Sequence, residues 1–252
     1  MAINMSDDAG LGKLFFELAS ESRLSTLHKL QTENLKMQEI ARRLDVTPTE
    51  AFRQLERLST ASLVQRQPDS TFALTEYGKI VLQISSSLAF ISKHKEYFST
   101  HDSMRFPKQF VNRLGELSQA ELEMGTIKIL NKGAQAFTEA KQYIWAIGED
   151  TIPEHMIPVM NQRVQQGIQL KLLISEERLP AVASMSETPK NVEIRGLPEL
   201  PAIIAITEKV AGICFRQLGG RMDYAGFFGS DAAFHNWVKD LFLYYWEKAK
   251  QT

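Results

Sequence analysis

VTPTEAFRQLERLSTASLV, residues 46–64, is the stretch that decides the fold of this chain. Thr47 can cap a helix through its hydroxyl, and Pro48 has the fixed φ angle that suits the first helical position. Glu50, three residues after Thr47, can complete a capping box with it. The stretch therefore predicts a helix whose first turn is sharply defined, with its core side formed by Ala51, Leu55 and Leu58.

The residues before this helix predict two others. Between residues 11 and 31, leucines recur at helical spacing and indicate one amphipathic helix. A shorter helix is expected over residues 37–44. Asp45 and Val46 then leave only a few residues for the turn before Thr47, as a helix-turn-helix requires.

The residues after it predict a hairpin. Residues 63–66 and 71–74 have the composition of two short strands, and the polar residues 67–70 suit the turn between them. Three helices followed by a two-stranded hairpin is the order of a winged helix-turn-helix domain. We assign residues 1–74 to such a DNA-binding domain.

A helix that enters a major groove must present side chains that recognise base edges. Arg53 can fork onto guanine and Gln54 can pair with adenine, each pair giving ~1–3 kcal/mol of discrimination. Phe52 can touch a thymine methyl group, or it can be buried against the first helix. Basic residues around the helix suit phosphates, although they also fit an ordinary solvated surface. The candidate DNA-binding residues are Lys36, Arg42, Arg43, Thr47, Thr49, Glu50, Phe52, Arg53, Gln54, Arg57, Arg66 and Gln67.

Residues 75–100 predict a long connecting helix. Its apolar residues follow alternating steps of four and three, with Lys95 in the place of one of them. Such a stripe either packs on its own domain or pairs two chains. The candidate dimerisation residues are Tyr77, Val81, Ile84, Leu88, Ile91 and Phe98.

Residues 101–252 predict an α/β domain that follows a polar linker ending at Pro107. Ser118 and Glu121 have the spacing of a capping box and predict the start of a helix there. Strands alternating with helices indicate a mixed sheet covered by helices, so the expected fold class is α+β. The expected strands are 143–147, 169–174, 192–195, 202–206, 210–215 and 224–228, and the expected helices are 158–166 and a last one capped by Ser230 or Asp231 that runs through Lys248.

Composition bounds the possible functions. The chain has 252 residues and a formal net charge of −1, so a basic face would have to be local. It contains no run of 18 apolar residues and no apolar signal core near its start, which predicts a soluble, cytoplasmic protein without a membrane partner. The single cysteine, Cys214, excludes an internal disulfide and a multi-cysteine metal site within one chain.

Catalytic and metal chemistry find little support in the residues. His235 and Lys239 are four residues apart, whereas phospholipase-D-like phosphodiesterases need a histidine and a lysine two apart. His94 and His101 share a helical face, and a pair of chains could bring four imidazoles to zinc there. Exposed histidines on a polar helix end are the simpler interpretation. We expect no enzyme activity, no metal and no cofactor.

A small-molecule effector is the remaining alternative for the second domain. Aromatic residues at strand positions usually belong to the core, but a few can line a pocket. The loop at residues 218–226 is glycine-flanked, so it is either a hairpin turn or a mobile element over such a pocket. The candidate effector-binding residues are Trp145, Arg195 and Tyr224.

Two resemblances cover nearly the whole chain. LASESRLSTLHKL resembles the first core helix of the winged-helix domain in archaeal regulators related to the ArsR type, and the LV…LT pair around residues 63–75 resembles its wing strands. YIWAIGED, QGIQLKLLI and GFFGSDAAFHNWVKDLFLYYW resemble the domain that follows the winged helix in methanogenesis-regulator-type transcription factors. Ser62 departs from the family, which usually has a glycine before the first wing strand, where a positive φ is often needed.

The resemblance implies a transcriptional regulator whose C-terminal domain takes up an effector or mediates assembly. We expect it to bind double-stranded DNA sequence-specifically as a homodimer. An effector would act by favouring one spacing of the two recognition helices. The alternative is a winged-helix module that binds a protein of the transcription machinery; Glu50 and Glu56 weaken a purely electrostatic DNA surface, whereas the arginines favour DNA.

Overall fold

The computed structural model describes residues 5–148, 156–183 and 189–251, and the chain forms two compact units, Met1–Ser86 and Ser87–Thr252. The division lies within the helix Glu76–Lys93 (α5). The connecting segment that the sequence analysis placed at residues 75–100 is therefore shared between the two units. Among the described residues, no helix combines the length and apolar character that crossing a membrane requires.

Two helices open the N-terminal unit where the sequence predicted one. They are Met5–Leu18 (α1) and Glu21–Thr32 (α2). The break falls at Ser20, whose extended backbone and hydroxyl cap α2 by accepting a hydrogen bond from the Arg23 N–H. The leucine periodicity continues across this break, so it could not reveal where α1 ends.

The rest of the unit places a helix pair against a small sheet. In chain order the elements are Leu35–Lys36 (β1), Met37–Leu44 (α3), Pro48–Thr60 (α4), Val64–Arg66 (β2) and Thr71–Leu74 (β3). The antiparallel sheet has the order β1-β3-β2. Leu27, Leu55, Leu58 and Leu63 are fully buried at the centre of this unit. The element order matches the sequence prediction, except that β1 was missed because two residues cannot show an alternation.

Ser62 adopts the left-handed conformation, with φ at 59°, at the end of α4. This conformation is sterically strained for serine, which has a Cβ, but not for glycine. We expect Ser62→Gly to raise the free energy of unfolding by about 1 kcal/mol, measured by thermal or urea unfolding. Ser59→Gly, inside the helix, should lower it by about 0.5 kcal/mol, the difference in helix propensity between the two residues. Equal destabilisation by both changes would contradict this explanation.

Helix α5 ends at Lys93, before the predicted last turn, and a four-residue helix, Lys95–Phe98 (α6), follows. Two of the predicted dimerisation residues are not on the exposed face of α5. Val81 is 8% exposed and belongs to the core of the N-terminal unit. Phe98, beyond the end of α5, packs against the aromatic core of the C-terminal unit. The exposed apolar face of α5, the α5 stripe, consists of Tyr77, Ile80, Ile84, Leu88 and Ile91.

The C-terminal unit is built on an eight-stranded sheet. The strands are Glu121–Glu123 (β4), Tyr143–Ile147 (β5), Gln169–Ser175 (β6), Val192–Leu197 (β7), Ala202–Thr207 (β8), Ala211–Phe215 (β9), Gly226–Gly229 (β10) and Lys250–Gln251 (β11). Their order in the sheet is β11-β7-β6-β5-β8-β9-β10-β4. The pairs β5–β6 and β6–β7 are parallel and the others antiparallel, so the predicted mixed sheet of an α+β protein is confirmed.

Helices cover both faces of this sheet. They are Lys108–Val111 (α7), Thr126–Glu139 (α8), Ile157–Gln165 (α9), Leu179–Ala183 (α10) and Ala232–Lys248 (α11), with 3-10 turns at Leu114–Leu117 and Glu176–Arg178. Strand alternation separates two cores: Trp145 and Ile147 lie in the cluster with α11, whereas Ile144 and Ala146 lie with α8 and α9. Of the two predicted caps, Ser230 and Asp231, it is Asp231 that caps α11, accepting hydrogen bonds from the Ala233 and Phe234 N–H groups.

Two local predictions for this unit are wrong. Glu121 lies in the edge strand β4, paired with β10, and α8 begins only at Thr126. Residues 100–107 are not a free linker, because His101 and Phe106 are buried and His101 bridges to Gln217. In both cases a hydrogen-bonded partner more than 100 residues away decides the structure, which a local pattern does not report.

Candidate nucleic-acid interface

The first turn of α4 is fixed by its cap. The Thr47 hydroxyl accepts a hydrogen bond from the Glu50 N–H at 3.2 Å, and Pro48 is the first helical residue. Ala51, Leu55 and Leu58 are buried, which sets the rotation of the helix about its axis. The exposed side of the first turn is thus held in one orientation.

Loss of this cap should be measurable. We expect Thr47→Ala to lower the free energy of unfolding by about 1 kcal/mol, because one backbone N–H of the first turn loses its acceptor. Thr49→Ala is the matched control, since Thr49 is exposed and lies two residues further along the same turn. Urea unfolding of the two variants checks the difference, and equal stabilities would contradict the role of the cap.

Three candidate residues share the exposed side of α4. Thr49, Phe52 and Arg53 are all exposed, Phe52 at 55%, so it is not buried against the first helix. Arg53 has no ion-pair partner among the described residues, so its guanidinium is available to a ligand. Glu50 is also exposed at this end and can accept a hydrogen bond, for example from a cytosine amino group.

Gln54 and Arg57 are engaged by other parts of the unit. The Gln54 Oε1 accepts a hydrogen bond from the buried Arg23 at 3.1 Å. Arg57 donates to both carboxylate oxygens of Glu17, at 3.1 and 2.7 Å, and its guanidinium lies 4.9 Å from the centre of the Phe16 ring. Neither residue has the freedom that the sequence analysis expected of a base or phosphate contact.

Glu17 and Arg23 were missed by the sequence analysis. The hydrogen bond from Arg57 and the charges of Arg23 and Arg57 hold the pKa of the Glu17 carboxyl below its usual range, against the opposing effect of burial. Arg23 carried a detectable signal, because it lies four residues before the buried Leu27, on the core side of α2. A charged residue on that side of a helix requires partners within the fold.

The candidate phosphate contacts surround α4. Lys36 and Arg42, on the strand and helix before it, are exposed and have no ion-pair partner among the described residues. Arg43 is paired with Glu33 at 2.5 Å on the surface. The remaining two lie at the hairpin: Arg66 donates to the Ser70 hydroxyl at 3.2 Å, and the half-buried Gln67 bonds through its backbone to Thr71.

The structure brings two of the three effector candidates, Trp145 and Arg195, to one stack of aromatic rings and separates Tyr224 from them in the sheet order. Trp145, on β5, is buried beneath α11, where it stacks with Phe242. Arg195, on β7, lies 4.4 Å over the ring of Trp246 and donates to its carbonyl. Tyr224 precedes β10, three strands from β5 in the sheet order.

The histidines proposed for zinc are inside the C-terminal unit. His94 packs edge-on against Phe90 and Phe227, and His101 stacks on Tyr97 and bonds to Asp223. Both side chains are buried, so the simpler interpretation of them as exposed histidines on a polar helix end is wrong. Groups of three or more metal-ligating side chains are absent from the described residues; His155 lies outside them.

The comparisons with known proteins give distant structural likenesses. Neither a protein-family model nor a curated protein matches the chain. The structure of TrmBL2, described as an archaeal chromatin protein with a novel mode of DNA binding, is 14% identical, with a TM-score of 0.45 over 92% of this chain and 94% of that one.

Two further solved structures each cover about half of this chain. NucT from Helicobacter pylori is 10% identical, with a TM-score of 0.43 over 53% of this chain and 98% of that one. Nuc from Salmonella typhimurium, a phospholipase D family member, is 11% identical, with a TM-score of 0.39 over 53% of this chain and 96% of that one. Likenesses of this strength carry no inference about what this chain does.

Proposed function

We propose that the N-terminal unit is a winged helix-turn-helix domain that binds double-stranded DNA with α4 in the major groove, and that the protein is a transcriptional regulator. The observation that carries the proposal is the capped first turn of α4, which presents Thr49, Phe52 and the unpaired Arg53 on one exposed side. A recognition helix contacts base edges with residues near its N-terminus. The hairpin β2–β3, with Arg66, takes the position of the wing.

The proposed contacts between this domain and DNA are of two kinds. Arg53, Thr49 and Phe52 contact base edges. Glu50 is next to Thr49 in the sequence, so its carboxylate can favour some bases and exclude others. The exposed cations Lys36, Arg42 and Arg66 contact phosphates, which position the domain without reading sequence. Gln54 and Arg57 do not contribute while Arg23 and Glu17 hold them.

We propose further that two chains pair through the α5 stripe. Its members, Tyr77, Ile80, Ile84, Leu88 and Ile91, are all uncharged and exposed along a single helix. A second copy suits such a face, because a two-fold axis packs the same apolar row against itself. A dimer would place two α4 helices on a two-fold-related DNA site. The C-terminal unit would contribute to assembly or respond to an effector by changing their spacing.

One feature of the sequence and one of the structure favour a regulator over an enzyme. None of the five histidines is followed by a lysine two residues later, which is the arrangement that phospholipase-D-like phosphodiester cleavage needs. Cys214 is buried in β9, and burial raises the pKa of its thiol to about 12, so it is a poor nucleophile at neutral pH.

The test is retention of fragmented genomic DNA by the purified protein, followed by sequencing of what is retained. We expect a few fragments that share a palindromic element, and their loss in Arg53→Ala. Lys79→Ala is the control, because it also removes a surface cation but lies on α5, where Lys79 pairs with Glu76. No retention at low salt would overturn the proposal in favour of a protein partner, whose binding would also show a much weaker dependence on salt.

A further inference from the structure

Arg57 lies on the proposed recognition helix but is occupied from within the chain. It is four residues after Arg53, so the two arginines share a helix face about 6 Å apart along the axis. Arg53 has no ion-pair partner among the described residues, whereas Arg57 donates two hydrogen bonds to Glu17, at 3.1 and 2.7 Å. The ring of Phe16 lies against the guanidinium from the same segment of α1.

The Glu17 carboxylate is held in place by a buried arginine. Arg23, whose side chain is 7% exposed, donates to the backbone carbonyls of Phe16 and Glu17, both at 2.7 Å, and pairs with the Glu17 carboxylate at 3.2 Å. A further bond from Arg23 reaches Gln54 on α4. The end of α1 is thereby fixed to α4, and the side chain of Glu17 is only 16% exposed.

A carboxylate that accepts two parallel N–H bonds from a guanidinium makes the same contact as a DNA phosphate. We propose that Glu17 occupies the place of a phosphate on Arg57, so that α1 restrains the DNA affinity of α4. This inference rests on the proposed DNA binding. Withdrawal of the Glu17 charge would release Arg57 to form one additional phosphate contact.

The expected effect follows from counterion release. One additional phosphate contact steepens the dependence of log K on log salt by about 0.9, which amounts to about eightfold in affinity for each tenfold fall in salt concentration. The change is independent of DNA sequence, because a phosphate contact reads no bases. An alteration of the fold alone would not steepen the salt dependence.

The experiment measures binding of the full chain to one DNA duplex over a series of salt concentrations, for the parent, Glu17→Gln and Glu21→Gln. Both variants remove one negative charge, but Glu21 is exposed and contacts no arginine side chain in the described structure. We expect the steeper slope and tighter low-salt binding in Glu17→Gln only. The same slope in the two variants would overturn the inference.

Arg57→Ala completes the test in both backgrounds. In the parent it should change the affinity less than about twofold, because Arg57 is not available to phosphates, while in Glu17→Gln it should abolish the gain. If Glu17→Gln does not fold, the parent background still decides: a loss as large as that of Arg53→Ala would overturn the inference. Absence of DNA binding by the parent defeats the proposed function as well, whereas binding that depends on Arg53 and not on Glu17 defeats only the inference.

Discussion

Ile84→Glu combined with Leu88→Glu should convert the protein to a monomer and weaken its binding to a two-fold-related DNA site by about 100-fold or more. Both residues are more than half exposed on the α5 stripe, Ile84 at 65% and Leu88 at 53%. In the proposed dimer, two charges from each chain would face each other across an apolar contact, where desolvation and like-charge repulsion oppose pairing. A monomer has one recognition helix and loses the gain from simultaneous binding of both half-sites. Analytical ultracentrifugation and titration with a palindromic duplex measure the two effects.

The control places the same charges on another side of the same helix. Gln83 and Ser86 are exposed residues of α5 outside the stripe, so Gln83→Glu combined with Ser86→Glu should leave both the mass and the affinity near those of the parent. A monomeric parent, or dimers in every variant, would show that the α5 stripe does not pair two chains.

Gly78→Ala should destabilise the N-terminal unit by about 3 kcal/mol. Gly78 is in the first turn of α5, where alanine would ordinarily stabilise a helix. A Cβ at this position would lie 2.1 Å from the carbonyl oxygen of Leu63 and 3.0 Å from its carbonyl carbon. Both are backbone atoms. The same carbonyl accepts a hydrogen bond from the N–H of Thr75, the residue before α5, so it cannot move away without loss of that hydrogen bond. Urea unfolding, followed by a probe in the N-terminal unit, measures the effect.

Gly12→Ala is the matched control for this prediction. Gly12 is also helical, but a Cβ there would meet no atom within 4 Å. Alanine should therefore stabilise α1 by about 0.8 kcal/mol, the ordinary difference in helix propensity. A stabilised Gly78→Ala protein would show that α5 does not approach Leu63 as closely as the structure places it.

The amino-acid sequence was sufficient to predict most of the local structure. Thr47 and Pro48 predicted the start of α4, and the predicted bounds of α3 and β3 agree with the observed ones. Such signals act over a few residues, through a side-chain cap, a fixed φ angle or an apolar period. Ser62, where the family usually has a glycine, is a further local case. Its φ of 59° follows from the turn that links α4 to the hairpin.

Predictions failed where distant segments compete with local signals. The Ser118–Glu121 spacing is a valid helix start in isolation, but pairing with β10 makes Glu121–Glu123 a strand. Likewise, the apolar steps along α5 fitted either of two neighbouring faces. Packing of the N-terminal core buries Val81 and leaves Ile80 exposed, which selects the face that remains for a partner.

The candidate site shows the same contrast between local signals and contacts with distant segments. Helical periodicity around Ala51, Leu55 and Leu58 was sufficient to predict from sequence that Arg53 and Thr49 face outward. Whether Gln54 and Arg57 are also free was decided by α2 and α1, because Arg23 holds Gln54 and Glu17 reaches Arg57 across 40 residues of chain. The sequence by itself determined which helix carries the candidate contacts and how it begins. The tertiary structure decided which of its side chains are available, because burial and ion pairing depend on segments that meet only in the folded chain.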